Sequence, residues 1–409
     1  VLVAAALGCG SGKNPGAESE SGGSTKGTPS ASADPSSPVI GDPAAGPATG
    51  AAASVESHPL IAGRTVDYGE ALRTASLKLV GELPTGEQIL SLARAADEAA
   101  QKQVYETAVE QMLYDTRFAA QLVRFWRDTF RTGPVPAPPA GAPSFDTAAV
   151  FAAQIAFEDR PFTELFTASQ GTCPTFSGGV FTSANCPGDG PKAGVLTDPG
   201  LMAQYYANMA FRRVRFVQET FACAKFPAEY TDKPTPMGVS LYTSPWEFNS
   251  ISGGTGSRVD FKDTSSVICA NCHTTMNHLA PLFANFDANG NFNPTAVQVE
   301  TPIASQVAAE RITRFTDWLP EGSKLYWRNG VEVADLPALG KAMAADPEVA
   351  RCAVARVWNW GFSRGDIVSD IATIPPNVTR DLVASFTGGG LKLRSLVRGV
   401  FTHPDFVRF

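Results

Sequence analysis

The sequence predicts a mainly α-helical protein, built of multi-helical modules joined by long loops. Apolar residues recur at three- and four-residue spacing in several separate blocks, the period of a helix face. Cap residues stand before several of these blocks, and glycine or proline follows others. The stretches between them are dense in proline and glycine, which marks them as loops.

Residues 1–9 read as the tail of a signal peptide. The apolar run Val1–Gly8 ends at Cys9, which is expected to carry a lipid, the alternative being a hydrophobic leader that ends at an incidental cysteine. Gly10 follows in place of the aspartate that retains lipoproteins at the inner membrane, so an outer-membrane lipoprotein facing the periplasm or the cell surface is expected. Residues 10–57 are almost wholly Gly, Ser, Ala, Pro and Thr. Such a stretch buries too little apolar surface to offset ordering entropy and is expected to be a disordered tether.

An N-terminal helical module is expected over 58–132. Thr85-Gly86-Glu87-Gln88 is a capping-box pattern, with Ile89, Leu90 and Leu92 opening a helix behind it. Val109, Met112 and Leu113 form a second apolar face. Asp115 is placed to cap a third helix carrying Phe118, Leu122, Phe125 and Trp126. Residues 133–200 break this rhythm with Pro134, Pro136, Pro138 and Pro139, and a loop-rich connector with a small hairpin is expected there. The segment 201–335 begins with a helical reading from Leu201 to Cys223 and continues into a loop-rich insertion over 234–256. The last module, 336–409, opens one helix at Asp346-Pro347-Glu348 and ends it at Gly361. Leu393, Leu396, Val397, Val400 and Phe401 line the final helix, stopped by Pro404.

Within 201–335 lies the segment with the most specific chemistry. Cys269-Ala270-Asn271-Cys272-His273 has the spacing of a covalent haem c attachment site. On one helical turn, both thiols reach one edge of a porphyrin and can form thioethers with its vinyl groups. His273 then offers an imidazole nitrogen to the iron as proximal ligand. One covalent haem c is therefore the expected cofactor.

Seven cysteines are present; setting aside Cys9, Cys269 and Cys272 leaves four, an even number suited to an oxidising compartment. Cys173 and Cys186 flank a Gly/Ser/Thr-rich loop and form the natural local pair, which leaves Cys223 to bridge to Cys352, with free buried thiols as the alternative. The chain has 33 basic and 40 acidic residues, a net charge of −7. That balance argues against a nucleic-acid partner and supplies no polybasic membrane patch. No other stretch reaches the roughly 20 apolar residues of a membrane span, so the expected membrane attachment is the N-terminal lipid alone.

Several blocks, in this order, resemble a family of large exported proteins best known from planctomycetes and also found in myxobacteria, with cytochrome-c-like domains of unknown function. The stretch CANCHTTMNHLAPLFANFDANG is similar to the family pattern C-x-x-C-H-x-x-I-D-P-x-G-x-x-x-E-N-F-D-x-x-G without a gap. Asn285, Phe286, Asp287 and Gly290 fall in register. Arg212-Arg213-Val214-Arg215-Phe216-Val217 looks like the family's R-R-G-K-F-V, followed by Cys223. Cys352 through Gly361-Phe362-Ser363-Arg364, then Asp370 and the ending HPDFVRF, look like its C-terminal helical domain. The resemblance covers most of 70–132 and 201–409. Val214 stands for a glycine, Asn277 for an aspartate and His278 for a proline. The resemblance implies an exported haem c module embedded in the chain, without implying a substrate.

Further site residues follow from chemistry. Met237, in the proline-rich loop Pro234–Gly238, is the first candidate for the sixth iron ligand, with a gap-filling methionine as the alternative. Arg212 and Arg213 suit haem propionates, unless they lie on a salt-bridged helix face. Asp287-Ala288-Asn289-Gly290-Asn291 reads better as a structural turn than as a calcium loop, since its glycine is misplaced and no terminal glutamate follows. Three functional readings remain. The first is a monohaem electron-transfer lipoprotein with an unidentified redox partner. The second is a haem-dependent oxidoreductase or peroxidase-like enzyme with an open distal site. The third is a haem-free, disulfide-bonded surface binding module.

Overall fold

Side-chain caps start most of the longer helices, and the packed faces of those helices follow from their apolar spacing. The computed structural model describes residues 63–133, 142–206, 208–223, 273, 275–294, 315–364 and 374–409. The expected leader and tether, residues 1–57 including Cys9, lie outside the described residues. The chain divides into two units, residues 1–64 and residues 65–409; the second holds every named element and is mainly helical. The expected module boundaries at 132, 200 and 335 fall inside this second unit, where one contiguous apolar core runs from Tyr68 to Val407.

Helix α1 spans Tyr68–Leu79, and Asp67 Oδ1 accepts from the backbone N–H of Gly69 and Glu70. In α2, Gly86–Ala93, Thr85 and Gln88 make the reciprocal capping box the sequence predicts. Its apolar face is narrower than expected: Leu92 is buried, while Ile89 and Leu90 are each 52% exposed. Helix α3, Glu98–Leu113, buries Val109, Met112 and Leu113. Asp115 caps α4, Thr116–Phe130, which buries Phe118, Leu122 and Trp126 and leaves Phe125 half-buried. Arg131 ends α4 in the left-handed region, φ 53°.

The connector 133–200 holds more regular structure than expected. Helix α5, Thr147–Phe157, is buried from Ala148 to Ala156 and packs along α4. Its sequence, TAAVFAAQIAF, is apolar all round, so it shows no helical period even though it is a helix. The four-residue α6, Glu164–Thr167, follows. The expected hairpin is present, with β1, Thr175–Ser177, antiparallel to β2, Val180–Thr182, between the bonded pair Cys173 and Cys186.

The helical reading from Leu201 to Cys223 resolves into two helices, α7 at Pro199–Gln204 and α8 at Phe211–Phe221. Between them, Met209 and Ala210 have φ of 52° and 63°. Consecutive left-handed residues cannot continue a right-handed helix, so the chain turns sharply there. Short α9, Ala280–Phe283, and a hairpin of β3, Tyr326–Trp327, with β4, Val331–Glu332, come next.

Four helices follow among the described residues. They are α10, Leu336–Ala345, α11, Pro347–Gly361, α12, Pro376–Gly388, and α13, Leu393–Phe401. Asp346 caps α11 through Glu348 N–H at 2.9 Å, with Pro347 in its first turn, as the sequence predicts. Cys223–Cys352 joins the end of α8 to α11. The ends of this unit also meet. Thr65 and Phe409 exchange backbone hydrogen bonds at 3.0 Å, and the buried Tyr105 hydroxyl donates to Phe401 O at 2.6 Å.

Candidate haem attachment site

His273 begins a helical turn in which Asn277 N–H donates to His273 O at 3.1 Å. That turn places the side chains of residues 273 and 277 one above the other. Accordingly, His273 Nδ1 lies 3.2 Å from Asn277 Oδ1. An amide oxygen only accepts, so Nδ1 carries the proton and the neutral ring has its lone pair at Nε2. Asn277 is fully buried, and the edge of the Phe211 ring meets His273 with centroids 4.7 Å apart at 86°. Burial lowers the His273 pKa, with the Asn277 hydrogen bond opposing it. The imidazole is thereby kept neutral, oriented and with a defined tautomer, which is the form that binds iron. A neutral imidazole held in this way suits the iron of a haem. Cys269, Cys272 and Met237 lie outside the described residues.

Asn277 is thus the residue that orients His273. The i, i+4 spacing is the signal that finds it. His278 turns elsewhere: its Nδ1 is 3.0 Å from Lys324 O, and its ring meets Tyr326 edge-on. Burial lowers its pKa as well.

Helix α8 carries the two arginines expected to meet haem propionates, and they diverge. Arg212 is exposed, with Nη1 3.4 Å from Tyr206 O. Arg213 is fully buried. Its Nε donates to Met202 O at 3.0 Å, and its Nη1 to Phe283 O and Phe286 O at 2.8 and 2.9 Å. Its Nη2 donates to Asp287 O at 3.1 Å and also to Met202 O. Burial without a matching carboxylate contact lowers its pKa to about 10. Its guanidinium therefore meets backbone oxygens in place of the propionate the sequence suggested. It ties α8 to carbonyls that follow the C-x-x-C-H segment in sequence.

Those carbonyls belong to a tight turn. Asp287 Oδ1 accepts from the N–H groups of Asn289 and Asn291, each at 2.8 Å, as a structural turn should. Gly290 has φ +73°, and a Cβ there would fall 2.0 Å from Pro199 O at the start of α7. Only glycine permits that approach. Among the described residues, one further cluster brings ligand-type atoms together, since those of Cys173, Cys186 and Asp198 lie within 4.8 Å of one another. The two sulfurs are bonded to each other, so they do not form a thiolate metal site. Comparison with protein-family models, with curated proteins and with solved structures finds no match to this chain.

Proposed function

We propose that this chain is an exported, lipid-anchored c-type monohaem cytochrome that transfers electrons at the outer membrane or in the periplasm, through an embedded cytochrome-c-like module. The supporting observation is the orientation of His273 by Asn277, at 3.2 Å, immediately after the C-x-x-C spacing. Cys269 and Cys272 would hold the porphyrin through thioethers, and His273 would ligate the iron through Nε2. Bound there, haem c supplies a one-electron redox couple. Asn277 fixes the proton on Nδ1, Phe211 walls the ring, and burial keeps the imidazole neutral. Met237 is the proposed sixth ligand, which favours electron transfer over chemistry at an open iron. Lipidation at Cys9 supplies the anchor. Two disulfides suit the oxidising compartment in which haem c is attached. No helix among the described residues is long and apolar enough to cross a membrane.

The test is a visible spectrum, oxidised and dithionite-reduced, of protein matured in a host with haem c attachment machinery, together with its denatured mass. Sharp reduced α and β bands and the mass of one covalent haem are expected, and carbon monoxide should leave the reduced spectrum unchanged. A carbon monoxide shift would move the reading to a haem enzyme. A colourless product, obtained while a control cytochrome matures normally, overturns both.

A further inference from the structure

A cavity of about 550 Å³ opens between α1, α4, α8 and α11, built by residues remote from His273 in sequence. Its size is that of a small-molecule site. Among the described residues, its lining includes the cations Lys78, Arg124, Arg131, Arg356 and Arg364 and the carboxylate of Asp128. Arg131 also pairs with the buried Glu219 at 3.7 Å. Arg356 is fixed, with Nε and Nη2 donating to Thr220 O and Glu219 O at 2.7 and 2.9 Å. Lys78 and Arg124 have no hydrogen-bond or ion-pair partner among the described residues.

A second observation is independent of the charges. Asn359 lines the same cavity, is 2% exposed, and neither its Nδ2 nor its Oδ1 has a hydrogen-bond partner. A buried amide left unpartnered is costly, and it is rare unless a ligand or water completes it. The wall beside it is aromatic, with Trp360 and Phe125 centroids 5.2 Å apart.

We propose that this cavity is a binding site for a small organic polyanion bearing carboxylate or phosphate groups. The lysine and guanidinium groups neutralise its charge, and the arginine forks match the geometry of its oxygens. The Asn359 amide donates to an oxygen deep in the cavity, and Trp360 covers the carbon skeleton. Nothing in this reading depends on haem.

The experiment is calorimetric titration of the full chain with citrate and, separately, with pyrophosphate, at matched ionic strength. Saturable binding at one site per chain is expected for at least one probe; which of them binds distinguishes carboxylate from phosphate. The double variant Lys78→Gln/Arg124→Gln removes two charge-assisted hydrogen bonds to the ligand, and affinity should fall about 100-fold. Arg73→Gln, at an exposed cation on α1 outside the cavity, should bind as the parent does. Absence of saturable heat with both probes overturns the proposal. So does unchanged affinity in the double variant, or an equal loss in Arg73→Gln, which would reveal general ion binding only.

Discussion

Asp198 is fully buried at the start of α7, and its Oδ1 accepts from Leu201 N–H at 2.8 Å while its Oδ2 has no partner. Burial raises its pKa to about 7, against the lowering effect of the backbone N–H groups of Leu201 and Gly200. In the unfolded chain the same carboxyl titrates at about 3.9. Between these values the folded protein holds a proton that the unfolded chain has released, so stability must fall as pH rises. The favourable contribution is complete below about pH 4 and lost above about pH 7. At ~1.36 kcal/mol per unit, the change between pH 5 and pH 8 is about 3 kcal/mol. Asp198→Asn keeps an oxygen for the Leu201 cap and abolishes the titration. Urea unfolding of both proteins at pH 5, 6, 7 and 8, with disulfides intact, isolates this group, since every other titration is shared. The variant should gain on the parent steadily up to about pH 7 and then run parallel to it. A stability difference constant within about 0.5 kcal/mol over that range would refute the buried, unpaired carboxyl.

Three further outcomes follow. Asn277→Leu removes the acceptor from His273 Nδ1; in haem-loaded protein the midpoint potential should shift upward by tens of millivolts, and Asn277→Asp should shift it the other way, read by redox titration. Arg213→Met leaves the carbonyls of Met202, Phe283, Phe286 and Asp287 without their donor, and should cost at least about 3 kcal/mol in urea unfolding. Gly290→Ala sets a methyl group against Pro199 O in a left-handed conformation and should cost about 2 kcal/mol or more by the same measurement, while Gly322→Ala, at a positive φ with open space around it, should cost nearer 1 kcal/mol.

Local chemistry was the legible part of this fold. The Thr85–Gln88 box, the Asp115 and Asp346 caps and the apolar faces of α3, α4 and α13 are each written within a few neighbouring residues. Cys173 and Cys186, the two that flank one short loop, are bonded as expected, and Cys223 is bonded to the remaining Cys352. What stayed hidden depends on long-range packing. Helix α5 has no polar face because neighbours enclose it on every side. The break at Met209 and Ala210 carries no glycine to announce its left-handed backbone. At the candidate site, His273 and Asn277 are readable together through helical spacing, but Arg213 is not. Arginine belongs at surfaces by default, and only the fold supplies the carbonyl oxygens that let it be buried. The polyanion cavity is hidden for the same reason, because its cations come from segments as distant as Lys78 and Arg364.

The Cys223–Cys352 bond also changes the covalent topology of the molecule. The cysteines stand 129 positions apart, so together with the backbone they close a ring that contains the C-x-x-C-H segment. A single proteolytic cut anywhere in that ring opens it without releasing a piece. Chain segments on both sides of the nick, and anything bonded to Cys269 and Cys272, remain one molecule until a reductant reaches the sulfurs.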